Sequence, residues 1–428
     1  MTVGDLWPMM MPLSDADDDT ICVVGTSGHR ITFADGNEVL CGTSGLWNVN
    51  LGYNNEAITG GITEALRSAS YAGVFRYENE PARRAAERLL AASAHAFARV
   101  IFSVSGGTAN DLVMKLARQY HELGGEPARK IVVGLKDGYH GLTFGAHALT
   151  GEDLGQRGYG IDTRLVRHVA AGDVAELKAL FAAVGRQIAA VVVEPVLGNG
   201  AVALEPSYVA LLGRLADESG ALLVADEVAT GFGRTGEMFA SDAWDRAPDI
   251  LIASKGLTNG TLPASALLVR DTVANRFRSA GAVLLHGETQ AGTAVTAAAV
   301  LATLDEFERL DAVNRGREVG RALAEALAAW READPEVLDT RGAGCFRAVR
   351  LRDPLDGDTP LAQRHVPALV REIRRAGAQV HAGPHGIQLI PALTYSTAEV
   401  TELVTAARAG VAACMERIRH QGYDGAAA

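Results

Sequence analysis

The chain has 428 residues, 48% of them hydrophobic and 21% charged, with a formal net charge of −11. This length suits two domains, or one large α/β domain carrying a smaller one, and buries a large core without disulfides or metals. The ordinary apolar and charged fractions exclude disorder and collagen-like structure, and the acidic balance argues against a nucleic-acid partner.

The basic side is lopsided, with 35 Arg and only five Lys, at 115, 130, 136, 178 and 255. The N-terminal stretch MTVGDLWPMMMPLSDADDDT has no basic region and turns acidic, so it does not read as a signal peptide. Asp15–Asp19 and the GAAA tail look disordered. Residues 20–55 hold alternating runs with Gly turns (Thr20–Val24, His29–Phe33, Glu38–Leu40) and predict a small antiparallel meander.

Strand-length runs, apolar on both faces, then recur at Val100–Val104, Ile131–Leu135, Leu165–Val169, Ala189–Val196, Ala221–Val228, Ile250–Ser254 and Ala264–Val269. Helical segments lie between several of them, at about Ala109–Leu123, Val174–Ala183 and Pro206–Glu218. This alternation predicts a largely parallel sheet in a doubly wound α/β domain, with ligands bound at the carboxyl ends of its strands. After Ala294 an Ala-rich helical stretch runs to about Trp330. Strands near Phe346–Leu351 and Gly386–Ile390 bracket a basic helix around Val366–Ala376, and a last helix spans about Thr397–Arg419. The expected division is 1–60 and 326–428 as two parts of a small domain, around a large domain at 61–325. No apolar run reaches the 18 residues that cross a bilayer. Cys22, Cys41, Cys345 and Cys414 form no CxxC pair, which favours reduced thiols in a cytoplasmic protein.

Chemistry concentrates at strand ends. Ala221–Glu227 is an apolar strand closing on Asp226 and Glu227, and Lys255 follows directly on Ile250–Ser254. Desolvation lowers an amine's pKa and makes it nucleophilic, but a structural ion pair has the same signature. Ser103-Val104-Ser105-Gly106-Gly107-Thr108-Ala109-Asn110 follows a strand and opens a helix, a placement that suits an anion and equally a capped tight turn; it lacks the Lys and spacing of a P-loop. Tyr139-His140-Gly141 follows another strand, where an aromatic could stack on a flat ligand. Gly231-Phe232-Gly233-Arg234-Thr235-Gly236 matches G-x-G-x-x-G, yet DEVAT separates it from its strand and no acidic strand end follows, so dinucleotide binding is not expected. Neither a G-x-S-x-G elbow nor an HExxH metal motif occurs.

Together these segments resemble the class III, fold type I family of pyridoxal-phosphate aminotransferases over roughly residues 20–410. The resemblance lies in ADEVATGFGRTGEMFASDAWDRAPDILIASKGLTNGTLPASALLVRD, FSVSGGTANDLVMKLAR, DGYHGLT, VVVEPVLGNG, LLHGETQAGTAVTAAAVLATLDEFE and FADGNEVLCGTSGLWNVNLGY. It implies an α/β fold with a seven-stranded, mostly parallel sheet and pyridoxal 5′-phosphate as cofactor. Lys255 would be the covalent anchor and proton shuttle, and Asp226 the partner of the pyridinium nitrogen. Val228 and Tyr139 would flank the ring, with His140 and Glu194 adjoining. Gly106, Gly107 and Thr108 would hold the phosphate, joined by Thr289 from the second subunit of a homodimer, and Leu46 and Trp47 would line the substrate entrance.

Four departures from the family pattern stand out. The cup reads Gly106-Gly107-Thr108 rather than Gly-Ser-Glu, and Gln290 stands where an aromatic is commoner. Many relatives carry an Arg that grips an α-carboxylate where this chain has His381, and a Gly-Glu-Gly where it has Gly198-Asn199-Gly200. Another arginine, such as Arg76 or Arg347, could serve instead. The expected reaction is ping-pong transfer of an amine to a carbonyl acceptor lacking a free α-carboxylate. One such acceptor is a peptide C-terminal ketone, as in daptide-type biosynthesis, and the Arg- and Ala-rich composition suits bacterial secondary metabolism. The rival readings are an ω-amino acid:pyruvate or 2-oxoglutarate aminotransferase, an aminomutase or racemase, and a non-catalytic cofactor-binding scaffold.

Overall fold

A computed structural model describes residues 5–426 apart from residue 17, with side chains to residue 420. The apolar runs of the sequence form a seven-stranded sheet: β1 (Arg99–Ser103), β2 (Ile131–Leu135), β3 (Val166–Val169), β4 (Ile188–Val193), β5 (Leu222–Asp226), β6 (Ile250–Ala253) and β7 (Ser265–Val269). Their order is β1-β7-β6-β5-β4-β2-β3. Only β7 runs against its neighbours, β1 and β6, so the other six point the same way and their carboxyl ends share one edge. β2, β4, β5, β6 and β7 are buried at every position, as expected of strands covered by helices on both faces. The architecture is thus the mostly parallel α/β sheet that the alternation predicts.

Two strands stop short of their apolar runs. β4 ends at Val193 and β5 at Asp226, where the chain leaves the ladder and frees Glu194 and Glu227 for other contacts. Helix α1 (Gly106–Leu123) begins three residues earlier than the hydrophobic period indicates, because Ser105 caps it by accepting from the Thr108 amide.

The antiparallel meander is present, as Val23–Ser27, Arg30–Phe33 and Glu38–Cys41. A short strand from the far end of the chain, Ala378–Gln379, extends it. A second antiparallel sheet joins Val337–Ala343, Phe346–Leu351, Gly386–Leu389 and His381–Gly383. The helical stretch expected after Ala294 is present as two helices, Ala294–Arg309 and Ala312–Ala333. Asp311 breaks it at φ 48°, with its carboxylate held by the Asn314 amide; Asp tolerates that left-handed conformation. The acidic run expected to be disordered is partly ordered: Asp15 closes a 3-10 turn and Asp18 accepts from the Thr20 amide. Of the GAAA tail, the last two residues lie outside the described residues.

The last helix (Thr397–Ala426) packs on Val366–Arg375 through Gly410, where a Cβ would lie 2.4 Å from the Ile373 Cα. Gly410→Ala is expected to cost about 2 kcal/mol net, because overpacking against backbone outweighs the gain in helix propensity. A lowered denaturant midpoint at unchanged slope would show it; an unchanged or raised midpoint would refute it.

Candidate active site

The shared carboxyl edge of the sheet gathers Ser103 from β1, Tyr139 and His140 beyond β2, Glu194 beyond β4, Asp226 from β5 and Lys255 just beyond β6. Lys255 opens a one-turn 3-10 segment at φ 47°. A positive φ in a lysine is strain that the surroundings must hold. Its Nζ lies 4.5 Å from the centroid of the Trp47 indole. Burial lowers its pKa to about 8, against the pull of Glu194 and Asp226 and with a push from Arg234.

Asp226 is buried and its oxygens accept from three donors. Oδ2 takes the Asn110 side-chain amide at 2.9 Å and His140 Nδ1 at 2.7 Å, while Oδ1 takes the Val228 amide at 3.2 Å. Burial works against a charged His140, but the hydrogen bond and charge of Asp226, with Glu194 adding, outweigh it and raise its pKa. Glu194 is buried too. One of its oxygens accepts the Tyr139 amide at 2.9 Å and the other the Gly198 amide at 3.0 Å, so the carboxylate ties two site loops together. Burial raises its pKa to about 7; His140 lowers it and Asp226 raises it further.

At the start of α1, Ser105 satisfies the amides of Thr108 and, through its carbonyl, Ala109. The Gly106 and Gly107 amides remain free to bind an anion at the positive end of the helix. Side chains are excluded here. A Cβ on Gly106 would come within 3.0 Å of the Val228 methyls, and one on Gly141 within 2.5 Å of the Gly107 Cα. The Thr143 hydroxyl is buried without a partner 3.5 Å from where a Gly107 Cβ would stand. Two free amides in a cradle built from glycine, beside a buried lysine and a buried aspartate, fit a phosphorylated aldehyde with a basic ring. Thr108 is in the cradle, but its hydroxyl is engaged by the Ser105 backbone and by Ser103.

Around the Lys255 ammonium the chain sets aromatic groups. Trp47, at φ 66°, packs edge-on against His381 with centroids 5.0 Å apart and against Phe346 at 5.2 Å. Burial, helped by the charge of Lys255, lowers the His381 pKa to about 4, so its imidazole is neutral at pH 7. Gln388, which pairs with His381 across the ladder, donates to the Gly198 carbonyl at 2.7 Å. Arg347 turns its guanidinium back onto the carbonyls of Gly342 and Gly344, and Arg76 lies over the Phe75 ring. Leu46, Tyr139 and Thr289 are exposed on the single chain, and the Thr289 carbonyl accepts from the Tyr71 hydroxyl.

Three site residues escape sequence reasoning. Asn110 closes the phosphate-candidate stretch, but nothing in the sequence marks it as a partner of Asp226. Phe346 reads as strand core. Arg234 hides in the G-x-G-x-x-G match, which folds as a turn with no helix opening on it: the guanidinium runs fully buried to the Asn50 side chain and the Pro391 carbonyl. Among the described residues no cluster of His, Cys, Asp and Glu could hold a metal, and no helix is long and apolar enough to cross a membrane.

The family model described as aminotransferase class-III matches residues 13–409. Acetylornithine aminotransferase of Mycolicibacterium smegmatis is 32% identical over 95% of this chain and 97% of its own length. Putrescine–pyruvate aminotransferase of Pseudomonas aeruginosa is 29% identical over 90% of this chain and 89% of its own. The crystal structure of an amine transaminase from an uncultivated Pseudomonas species, in its PLP-bound form, superposes with a TM-score of 0.90 at 32% identity, covering 96% of this chain and 99% of that one.

Proposed function

This chain belongs to the class-III aminotransferase family, and on that premise we propose that it aminates a carbonyl acceptor lacking a free α-carboxylate. It is a pyridoxal-phosphate-dependent aminotransferase. The observation that carries the narrower reading is His381, uncharged and packed on Trp47 beside Lys255. A carboxylate recognised there would lack the bidentate, permanently charged partner that arginine supplies, and Arg347 spends two of its donors on backbone carbonyls. Aldehydes, ketones and peptide C-terminal ketones are the acceptors that fit.

When bound, pyridoxal phosphate supplies an aldehyde that takes up amine nitrogen and a ring that absorbs the electrons released at the substrate carbon. The residues named in the sequence divide the remaining work. Lys255 is the anchor, and its amine then moves the proton at the substrate carbon; a pKa of about 8 keeps a usable fraction unprotonated near neutrality. Asp226, fixed by Asn110, His140 and the Val228 amide, holds a proton on the ring nitrogen. Val228 and Tyr139 bound the ring, and Glu194 keeps the Tyr139 loop in place. The Gly106 and Gly107 amides bind the phosphate, and Leu46 and Trp47 border the substrate.

The protein works as a homodimer in this reading. Large exposed apolar side chains, among them Leu46, Tyr71, Phe75, Phe144 and Leu285, support it. Tyr71 bonds to the Thr289 carbonyl, so this surface adjoins the segment that would serve the second subunit's phosphate. Sedimentation as a monomer at micromolar concentration would refute the dimer. The free cysteines suit a reducing, cytoplasmic setting.

The test is the visible spectrum of the cofactor-loaded protein on adding amine donors singly, followed by carbonyl acceptors. Bleaching by simple amines and recovery with aldehydes or ketones would support the reading; bleaching by alanine or glutamate alone would favour the ω-amino acid aminotransferase. Turnover of a single substrate without an acceptor would mean an aminomutase. His381→Arg is expected to raise kcat/KM for an α-carboxylate substrate about 10–100-fold, the order of one charge-assisted bidentate contact. No gain, together with a wild-type preference for α-amino acids, would sink it.

A further inference from the structure

Glu288 lies in the stretch Gly287-Glu288-Thr289-Gln290, and its carboxylate reaches back into its own chain to the base of the phosphate cradle. The Ser103 hydroxyl, at the buried end of β1, stands 2.8 Å from Oε1 and 3.0 Å from Oε2. An ionised carboxylate only accepts, and a hydroxyl has one proton, so the Ser103 proton is committed to Glu288. Ser103 Oγ is also 2.8 Å from Thr108 Oγ1, and with its proton spent it can only accept there. Thr108 Oγ1 accepts the Ser105 amide at 3.1 Å and lies 3.0 Å from the Ser105 carbonyl. Thr108 Oγ1 lies 3.0 Å from Ser105 Oγ as well, so its proton has Ser103 Oγ, Ser105 Oγ and the Ser105 carbonyl as acceptors, and Ser103 Oγ serves as one because Glu288 takes the Ser103 proton.

From the other side His286 Nε2 lies 3.2 Å from Glu288 Oε1, and Lys115 Nζ lies 3.4 Å from His286 Nδ1. An ammonium cannot accept, so Nδ1 accepts from Lys115 and Nε2 donates to Glu288. Ser103 from β1 and His286, itself held by Lys115 of α1, thus both donate to this one carboxylate.

We infer that Glu288 is a positioning residue that keeps Ser103 Oγ an acceptor for the Thr108 hydroxyl and lays a negative charge behind the phosphate cradle. Building on the cofactor reading above, Glu288 holds cofactor affinity below what the cradle could reach. The phosphate rests on the Gly106 and Gly107 amides, and the cofactor exchanges more readily than it would without Glu288.

The test titrates the apoprotein with pyridoxal phosphate and separately with pyridoxal, which has no phosphate. In Glu288→Gln the negative charge behind the cradle is gone, and its NH₂ can donate to Ser103 Oγ, so the Ser103 proton turns to Thr108 and the Thr108 hydroxyl loses one of its acceptors. The dissociation constant for pyridoxal phosphate is expected to fall about tenfold, the order of one gained hydrogen bond to a charged group, with that for pyridoxal unchanged. Glu288→Ala removes the same acceptor and charge and is expected to tighten binding in the same selective way, which keeps the test open if the first variant folds poorly. Unchanged or weakened pyridoxal phosphate binding in the folded variants would overturn the inference, as would an equal shift for both ligands. A wild-type protein that binds neither ligand would overturn the cofactor reading along with it.

Discussion

Lys255→Ala is expected to lower the rate of amine transfer on the order of 10⁴-fold or more while leaving a protein that still binds the cofactor through its phosphate. The size follows from the two tasks given to one amine, covalent anchoring and proton transfer at the substrate carbon, each a large term in its own right. Retained binding follows from geometry: the cradle is built from the Gly106 and Gly107 amides at the head of α1, and Lys255 is not among its contacts. Mass analysis after borohydride reduction should show the cofactor fixed on the wild type and absent from the variant. Turnover above about 1% of wild type would remove Lys255 from the mechanism.

The same residue carries a pH signature. Its pKa falls from 10.5 to about 8 because burial disfavours the ammonium. The reactive amine is the unprotonated form, so cofactor attachment to the apoprotein should quicken as pH rises through about 8 and then level off. A profile still climbing toward pH 10.5 would mean that the site leaves the lysine solvated.

How much of this was legible in the sequence depends on whether a signal is local. The buried strands announce themselves through continuous apolar runs, and their ends mark Asp226 and Lys255, the latter conspicuous in a chain with five lysines. The antiparallel sheets contributed by the two ends of the chain are harder to read. Their strands are short, several of two to four residues, and one sheet joins Glu38–Cys41 to Ala378–Gln379 from the opposite end of the chain. The aromatic group around Lys255 is assembled from Trp47, Phe346 and His381, and no periodicity links positions that far apart. Asn110 and Ser103 are silent for another reason: their importance lies in which carboxylate their protons go to, and that is decided only when β1, α1 and β5 are side by side. Arg234 was obscured by a motif whose glycines serve a turn while its arginine crosses the core.

Asp226→Asn is expected to slow the half-reaction with an amine donor on the order of 10²–10³-fold, the range for removing a preorganised electrostatic partner. The substitution is nearly isosteric, so the loss comes from charge and from donor count. In the native site Asn110 and His140 both donate to Oδ2, and the Val228 amide donates to Oδ1. An asparagine has one accepting oxygen. If its oxygen faces Asn110 and His140, its NH₂ takes the place of Oδ1 and meets the Val228 amide, donor against donor. The flipped amide instead meets Asn110 and His140. The first arrangement leaves one mismatch rather than two and is favoured, and its single oxygen, taken by Asn110 and His140, leaves no acceptor that would keep a proton on the ring nitrogen. His140 changes with it. The Asp226 hydrogen bond and charge are what raise its pKa against burial, so without them burial favours the neutral imidazole. Phosphate-dependent cofactor affinity should change little, since the cradle does not involve Asp226. A variant within fivefold of wild type in the single-turnover rate would refute the assignment, and a loss confined to cofactor affinity would make Asp226 a structural carboxylate only.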